Sequence, residues 1–548
     1  MTQPSLHGAF RTDLPARAAY SEGAGIYRII PAAVARPTTE EDLVSLVQWA
    51  RETRTALVPR GAGSSVTGSN VGEGVVVDLT EMSPRVLDID SANSTVRTGP
   101  MLRWGELADA AGRVGLRLPP DPSSGAFATL GGMVSTNASG ARTVRFGSVR
   151  PWVRGLSLLT VDGDRLDLRR GEPILPGNAT VDRFEKTVAP AIRASAAQIT
   201  SAFPSTRKNS SGYALASWLE SGDLIDLLIG SEGTLALITG IEWQLAPVPA
   251  CHGGLSVALA DLSLLHEAVT ALLPLQPSAL ELLDRTFLDL VRSNRGTDAG
   301  PPSTEAIILV EFEGQSVDGL RGTVGDAVRR LKNIALDVVT ALTPDDEHRI
   351  WALRHAASPI IADLPPGQRS LQVIEDACVP VPRMGEYIAS VRTIAARLEL
   401  PIVIFGHAGD GNVHVNVLPH VDQPGWESVV LRLYQEVTAR VLELGGTTSG
   451  EHGDGRIRSD VLEQSYGSEV MRLFRMVKDA FDPLGILNPG VKIPGTETPA
   501  SPIERLKTGA GAARIPEPIA LALREIERRG DYKRDRLALA DQYRESGV

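Results

Sequence analysis

The first half of the chain alternates short apolar runs with glycine-rich turns. Three runs have the length and composition of β-strands, at residues 56–58, 74–79 and 156–161. Before them, residues 38–50 carry apolar side chains at helical spacing, and Thr38 and Glu41 have the spacing of a capping box. Strands mixed with an amphipathic helix predict an α+β unit.

A second α+β unit is predicted after residues 247–254, where prolines and paired glycines interrupt the periodicity. Amphipathic helices alternate there with strands such as residues 306–310 and 401–405. Residues 494–518 are rich in Pro, Thr, Gly and Ala and have the composition of a linker. The last thirty residues carry interleaved charges on a helical pattern, which is typical of a solvated helix.

Composition narrows the class of protein. A length of 548 residues exceeds one hydrophobic core, and a net charge of −11 disfavours binding to nucleic acid or to anionic lipid. No apolar run is long enough to span a membrane, and the N-terminal residues have no apolar stretch typical of a secretory signal. Cys251 and Cys378 alone form no disulfide framework, iron–sulfur motif or zinc finger. We expect a cytoplasmic protein, with peripheral association at the inner membrane left open.

Three loops of very small residues indicate a bed for a phosphate-bearing ligand. They comprise residues 59–68, 131–140 and 230–235. Glycines let backbone amides approach an anion closely, and Ser64 and Ser65 add hydroxyl donors. Because residue 66 is valine, the first loop lacks the third glycine of a dinucleotide fingerprint, which disfavours a nicotinamide-binding Rossmann domain. One such loop is often an ordinary turn, but three predict a long ligand such as FAD.

The strongest local signal is a histidine-bearing hairpin at residues 405–417. A turn at residues 409–412 is predicted to bring His407 beside His414, and strand alternation places His414 and Asn416 on one face. Loop 449–455 sets Glu451 next to a histidine among glycines. Two histidines and one glutamate form a ligand set that suits zinc or another first-row divalent ion and leaves positions open for substrate.

These motifs resemble those of the FAD-linked D-2-hydroxy acid dehydrogenases, which oxidise D-lactate, glycolate or D-2-hydroxyglutarate. Residues 36–247 resemble a two-subdomain FAD-binding domain of the vanillyl-alcohol-oxidase type, and the resemblance continues to about residue 495. Ser64 and Ser65 stand where some relatives carry a flavin-linked histidine, so noncovalent FAD is expected. The resemblance implies that FAD is contacted by Arg60, Gly61, Ala62, Gly63, Ser64, Ser65, Gly68, Gly131, Gly132, Ser135, Asn137, Ala138, Ser139, Gly140, Glu232, Gly233 and Asn488.

In the second unit the resemblance implies a metal and substrate site. His407, His414 and Glu451 are expected to bind one divalent ion, zinc or manganese. His452 is expected to act as the catalytic base, Asn416 to contact substrate and Arg354 to clamp its carboxylate. From the residues alone, Arg354 is equally well read as a surface charge.

The resemblance also bears on the choice of substrate. Ile374 stands near the position where the hydroxyglutarate enzymes carry a lysine, which weakens that assignment unless Arg369 substitutes.

The implied organisation is α+β throughout, with a cap domain built on an antiparallel sheet. It divides the chain into an N-terminal arm (1–35), an FAD-binding domain (36–247), a substrate and metal cap (248–480), a return segment to FAD (481–495), and a linker with a helical tail (496–548).

The expected activity is oxidation of a small D-2-hydroxy acid to the 2-oxo acid. D-lactate is the first choice of substrate. Electrons would pass to a quinone, cytochrome or iron–sulfur partner, and a homodimer is left open. Alternatives within the class are D-2-hydroxyglutarate or glycolate dehydrogenase. Other classes are a flavin-free metal hydrolase, a non-redox flavoenzyme of the alkyl-glycerone-phosphate synthase kind, and a noncatalytic subunit of an iron–sulfur complex.

Overall fold

The predicted α+β architecture is confirmed in a computed structural model, which describes residues 3–82, 85–295, 300–495 and 501–544. The predicted linker begins at residues 496–500, which lie outside the described residues. Among the described helices, none is both long enough and apolar enough to cross a bilayer.

The first unit contains two main sheets. Its four-stranded sheet has the order Ala9–Arg11, Ala33–Arg36, Val75–Asp78, Leu57–Arg60. The last three strands are parallel, and the buried valines of Val75–Asp78 suit a central position covered on both faces. The antiparallel five-stranded sheet has the order Leu87–Asp90, Thr95–Thr98, Leu237–Gln244, Val153–Leu159, Arg165–Arg169. A short pair joins Ala246–Pro247 to Leu116–Arg117.

The second unit is built on the predicted antiparallel sheet, which has seven strands. Their order is Asp337–Ala341, Cys251–Leu259, Ala306–Gly314, Ala279–Asp284, Ile402–His407, Asn412–Val417, Ala377–Cys378. The hairpin of Ile402–His407 and Asn412–Val417 therefore lies near one edge of this sheet. The interruption predicted at residues 247–254 ends earlier than expected, because the strand Cys251–Leu259 includes the paired glycines.

Helices surround these sheets. In the first unit they are Leu14–Ala19, Glu40–Thr53, Trp104–Gly112, Leu130–Thr136, Thr143–Phe146, Ala179–Arg183, Ala189–Ala194, Ala196–Ala202, Leu215–Ser221 and Leu224–Leu228. In the second they are Leu265–Leu272, Arg285–Arg295, Val317–Leu331, Pro344–His355, Ala357–Ala362, Met384–Arg397, Trp426–Glu443 and Leu462–Phe481. Glu517–Arg529 and Arg536–Arg544 form the tail.

The capping box expected at Thr38 and Glu41 is wrong by one residue. Thr39 caps the helix Glu40–Thr53, and its hydroxyl accepts a hydrogen bond from the Asp42 amide at 3.2 Å. Asp42 reaches back and accepts one from the Thr38 amide at 2.9 Å. The shift occurs because Asp42, unlike Glu41, is buried against the start of the helix.

Two helices pack against parts of the chain that the sequence pattern does not predict as their partners. Leu462–Phe481, which the sequence groups with the second unit, places its apolar face in the core of the first unit, against residues such as Trp218. The tail helix Glu517–Arg529 is not merely solvated, because Ile519, Leu523 and Ile526 are buried in a core shared with Val58. Their spacing forms one apolar stripe on the helix.

We predict that Leu523→Ala lowers the free energy of unfolding by about 2–5 kcal/mol, because it leaves a cavity in this core. Leu521→Ala is the matched control. Leu521 lies on the same helix but is 53% exposed, so its loss should change stability by no more than about 0.5 kcal/mol. Chemical denaturation followed by circular dichroism measures both, and equal effects would contradict the packing of the tail.

Candidate active site

A cleft with about 800 Å³ of free volume lies between the glycine-rich loops and the seven-stranded sheet. This volume is in the range of ligand-binding cavities. Most of the predicted site residues line it: Arg60, Gly61, Ala62, Gly63, Ser64, Ser65, Gly131, Gly132, Ser135, Ala138, Ser139, Gly140, Glu232, Gly233, Arg354, His407, His414, Asn416, Glu451 and His452.

Three residues expected to contact FAD lie behind this lining. The Asn488 amide donates hydrogen bonds to the carbonyls of Ser69 at 2.9 Å and Glu232 at 2.8 Å, so it braces two loops against each other. Gly68 has a φ of +81°, and a Cβ there would lie 2.4 Å from the Tyr27 ring. Asn137 ends the helix Leu130–Thr136 in the left-handed conformation.

The loop region fits a long, anionic cofactor. A Cβ on Gly61 would lie 2.4 Å from Oγ1 of Thr129, and one on Gly140 would lie 2.3 Å from the Asp121 carbonyl oxygen. Only glycine therefore allows this close packing of backbone in the cleft wall. Arg60 is buried in the same wall, and its Nη2 has no hydrogen-bond partner in the described part of the chain. A buried cation without a partner suits a phosphate-bearing ligand.

The hairpin and loop 449–455 bring three potential ligand atoms together. Nε2 of His407 lies 3.2 Å from Nε2 of His414 and 3.2 Å from Oε1 of Glu451. The His414 Nε2 to Glu451 Oε1 distance is 3.3 Å. His414 and Asn416 line the cleft, whereas Val413, Val415 and Val417 enter the core behind it, as strand alternation predicts.

Each imidazole is oriented by a hydrogen bond from Nδ1, the ring nitrogen that points away from the cluster. Nδ1 of His414 donates to the Glu375 backbone carbonyl at 3.0 Å, and Nδ1 of His407 donates to Oε1 of Glu281 at 2.5 Å. Because each Nδ1 donates a hydrogen, each Nε2 faces the other ligands and carries a lone pair when the imidazole is neutral. Burial lowers the pKa of His414, but hydrogen bonds to Glu375 and Glu451 outweigh it and raise that pKa to about 9.

The three-atom cluster fits a divalent cation. Atoms bound at zinc–nitrogen distances around a tetrahedral ion lie about 3.3 Å apart, close to the spacing of these three. Facing lone pairs repel unless positive charge, either protons or a metal ion, lies among them. His407, His414 and Glu451 are therefore able to hold such an ion.

Lys208, which the sequence analysis did not single out, fixes the second oxygen of Glu451. Its ammonium donates to Oε2 at 2.8 Å, and the Ser139 hydroxyl donates to the same oxygen at 3.0 Å. Lys208 is buried, and the carboxylates of Glu451 and Asp410 raise its pKa although burial opposes this. Both donors come from the first unit, so Glu451 joins the two units.

Asp376 shapes the loop that carries Glu451 and His452. Its carboxylate accepts hydrogen bonds from the Glu451 amide at 3.0 Å, the His452 amide at 2.8 Å and the Asn412 side chain at 3.1 Å. Glu232 supports the other end of the loop by accepting from the amides of residues 454 and 455.

His452 forms a pair with Glu375. Both carboxylate oxygens of Glu375 lie 2.8 Å from Nδ1 of His452, and Arg458 donates to the same carboxylate at 3.2 Å. Burial favours the neutral acid, but the charge of His452 and hydrogen bonds from His414 and His452 hold the pKa of Glu375 well below its usual range. Burial lowers the pKa of His452, and the charges of Glu375 and Asp376 overcome this and raise it to about 10.

The sequence leaves two alternatives for Arg354, a surface charge or a substrate-binding residue. Its position in the cleft wall favours the second. Its Nε donates to Oε2 of Glu281 at 2.9 Å, and its guanidinium lies 4.6 Å from the centre of the Phe405 ring. The same Glu281 holds His407, so one buried carboxylate orients both a potential metal ligand and the arginine. Nothing in the sequence pattern marks Glu281, which lies inside an apolar strand.

The suggestion that Arg369 substitutes for a lysine near position 374 is wrong in this structure. Arg369 is exposed and does not line the cleft, and Ile374 is buried in the core. Gln372 faces the cleft from this segment instead. Leu371 pairs with Val417, so Gln372 lies opposite Asn416 on the neighbouring strand.

Comparisons with known proteins bear on the family and the fold. Residues 31–169 match the FAD binding domain family, and residues 255–491 match the C-terminal domain of FAD linked oxidases. A D-lactate dehydrogenase of Anaerostipes hadrus is 30% identical over 479 residues, covering 84% of this chain and 89% of that protein. Glycolate oxidase subunit GlcD of Bacillus subtilis (strain 168) is 29% identical over 467 residues, covering 85% and 89%. The D-2-hydroxyglutarate dehydrogenase of Escherichia coli (strain K12) is 26% identical over 547 residues, and this chain spans 53% of its length.

Solved structures support the fold. A 4-ethylphenol oxidase from Gulosibacter chungangensis has a TM-score of 0.64 at 17% identity, covering 88% of this chain and 94% of that one. An alkyldihydroxyacetonephosphate synthase has a TM-score of 0.60 at 18% identity, covering 88% and 83%. The predicted FAD-binding fold of the vanillyl-alcohol-oxidase type is thereby confirmed.

We predict that Lys208→Met destabilises the metal-free protein by about 3–5 kcal/mol, because it removes the buried cation of Glu451 and leaves Asp410 with only the half-exposed Arg207 at 3.5 Å. Lys186→Met is the control. The Lys186 side chain is 75% exposed, and we expect a change below about 0.5 kcal/mol. Urea unfolding in the presence of a chelator measures both, and similar values for the two variants would remove Lys208 from its assigned role.

Proposed function

Because the chain belongs to the FAD-linked oxidase family that includes D-lactate dehydrogenases and glycolate oxidase subunit GlcD, we propose that it oxidises a small D-2-hydroxy acid, with D-lactate preferred. One observation carries the proposal. Three potential metal ligands within 3.3 Å of one another share a cleft with a carboxylate-oriented histidine, an arginine and the glycine-rich loops.

In this proposal Arg354 binds the substrate carboxylate. Its Nε contact with Glu281 fixes the plane of the guanidinium, and the terminal nitrogens are those that a bidentate carboxylate contact uses. Asn416 assists from the neighbouring wall. Its Oδ1 accepts from the Ser370 hydroxyl at 3.0 Å, which leaves the amide nitrogen as a donor toward substrate. Together these residues orient C2 of the substrate.

His452 accepts the proton of the substrate hydroxyl. Glu375 holds the hydrogen on Nδ1, so Nε2 carries the lone pair that a base needs. A zinc or manganese ion held by His407, His414 and Glu451 would supply a Lewis acid that lowers the hydroxyl pKa and, by its charge, favours neutral His452. FAD held noncovalently on the glycine-rich loops would supply the two-electron acceptor.

The cleft wall supports a monocarboxylic rather than a dicarboxylic substrate. Gln372, next to Asn416, presents a neutral amide where a distal carboxylate would gain from a cation. Arg142, another cation in the lining, is already paired with Glu311 at 2.8 Å and with Asp121. D-lactate and glycolate fit this wall better than D-2-hydroxyglutarate, which stays the alternative within the class.

The first loop lacks the dinucleotide fingerprint, which disfavours a nicotinamide as the acceptor for the reduced flavin. We propose a quinone, a cytochrome or an iron–sulfur partner.

We predict that the purified protein is yellow and that D-lactate bleaches its flavin anaerobically faster than glycolate or D-2-hydroxyglutarate. L-lactate should leave it oxidised, and prior treatment with a chelator should slow bleaching by D-lactate. Stopped-flow absorbance measures the rates. Colourless protein would favour a metal hydrolase, and colour without bleaching by any acid would favour a non-redox flavoenzyme or a noncatalytic subunit.

Gln372→Lys tests the choice of acid within the same panel. The new ammonium should raise the ratio of kcat/KM for D-2-hydroxyglutarate to that for D-lactate. An unchanged ratio would show that the distal end of the substrate lies elsewhere.

For His452→Ala we predict flavin reduction slowed about 10²–10⁴-fold, because the base is lost. FAD and metal content should stay at the wild-type level, since the proposed ligands are His407, His414 and Glu451. Loss of metal would instead favour the neighbouring group that joins His452 to Glu375, Asp376 and His414. His414→Ala is the matched variant, which should lose metal but keep FAD. Full activity of His452→Ala would make that residue structural.

A further inference from the structure

The C-terminal tail reaches the wall of the cofactor cleft. The segment lies beyond both family matches, which end at residues 169 and 491. The Tyr532 ring lies 5.1 Å from the Phe127 ring, centre to centre, and Phe127 immediately precedes the cleft residues Ala128 and Thr129. The tail is therefore anchored beside the loops that line the cleft.

The tail buries an arginine whose charge is not neutralised. Arg536 is only 7% exposed, and its Nη1 has no hydrogen-bond partner within the described ranges. Burial, followed by the positive charge of Arg60, lowers the pKa of Arg536 to about 10. A buried guanidinium without a partner is costly in a folded protein and calls for a physical reason.

Arg60 is the second such group, and it belongs to the first glycine-rich loop. It is 3% exposed, and its Nη1 makes only long contacts of 3.5 Å to the carbonyls of Tyr20 and Asn70. Its unpartnered Nη2 lies directly beneath Gly63, where a Cβ would be 2.4 Å away. This places positive charge at the backbone of the loop.

The acids near the two arginines already have other partners. Glu22 accepts from Arg28 at 2.5 Å, and Asp78 accepts from Arg36 at 3.2 Å and from the Tyr20 hydroxyl. Asp535, the neighbour of Arg536, accepts from Arg36 at 3.0 Å. Neither Arg60 nor Arg536 therefore has a carboxylate partner of its own among the described residues. Because Arg36 serves both Asp78 and Asp535, the three acids and four arginines of this junction carry one net positive charge, which favours an anion such as a dinucleotide diphosphate.

We propose that the tail completes the anion site of the first glycine-rich loop, with Arg60 contacting the diphosphate of the dinucleotide and Arg536 supplying the second positive charge. The inference rests on FAD being the cofactor, as in the proposed function. It makes residues 516–544 part of the cofactor site, although they lie outside both matched family domains. Arg536 is a positioning residue, which acts through its charge on the site.

The test compares FAD binding by full-length variants stripped of flavin. Arg536→Gln should raise the Kd for FAD about tenfold, measured by quenching of flavin fluorescence, because the net positive charge of the junction is removed. Arg536→Lys keeps the charge and should stay near the wild-type value. Arg524→Gln, on an exposed position of the neighbouring helix, is the control and should bind like the wild type.

Thermal unfolding separates this role from a structural one. Without FAD, Arg536→Gln should melt no lower than the wild type, because an uncompensated buried charge is gone, and its FAD-induced rise in Tm should be smaller. An unchanged Kd, or a lower Tm without FAD, would overturn the inference. Failure of the wild type itself to bind FAD would instead overturn the proposed function.

Discussion

The arrangement of the site depends on one carboxylate, that of Glu451. Its two oxygens make different contacts: Oε1 faces His407 and His414, and Oε2 accepts from Lys208 and Ser139. The histidines belong to the second unit, and the two donors belong to the first. Packing of the units therefore fixes the second oxygen of Glu451, and the buried charge of Lys208 holds Glu451 ionised against the cost of burial.

Glu375 and Asp376 are adjacent acids that precede the edge strand Ala377–Cys378, and they position different parts of the site. Asp376 accepts from backbone amides of loop 449–455 and so fixes where Glu451 and His452 begin. Glu375 points at the His452 ring and sets its tautomer. The two residues lie in the turn that leads into the strand Ala377–Cys378, and their carboxylates serve two different partners there.

The parts of this site that were predictable are local in sequence. The alternation at residues 412–417 and the intervening turn predict that His407 meets His414, since both follow from backbone geometry within eleven residues of chain. Lys208, Glu281 and Glu375 carry no such signal, because their partners are set by tertiary packing of distant elements. The tail was predicted to be a solvated helix because of its alternating charges. These charges obscure the apolar stripe of Ile519, Leu523 and Ile526, which packs the helix onto the first unit.

Glu281 shows how binding of a cation and of a carboxylate can be linked here. One of its oxygens holds His407 and the other holds Arg354, and burial leaves the carboxylate no solvent to compensate for a lost partner. A shift of Arg354 toward a bound carboxylate therefore alters the contact between Glu281 and His407. A shift of His407 likewise alters the contact between Glu281 and Arg354. Because linkage is reciprocal, each ligand favours the geometry that the other needs. Under the proposed function, the buried strand that contributes Glu281 would couple recognition of substrate to the chemistry of the ion site.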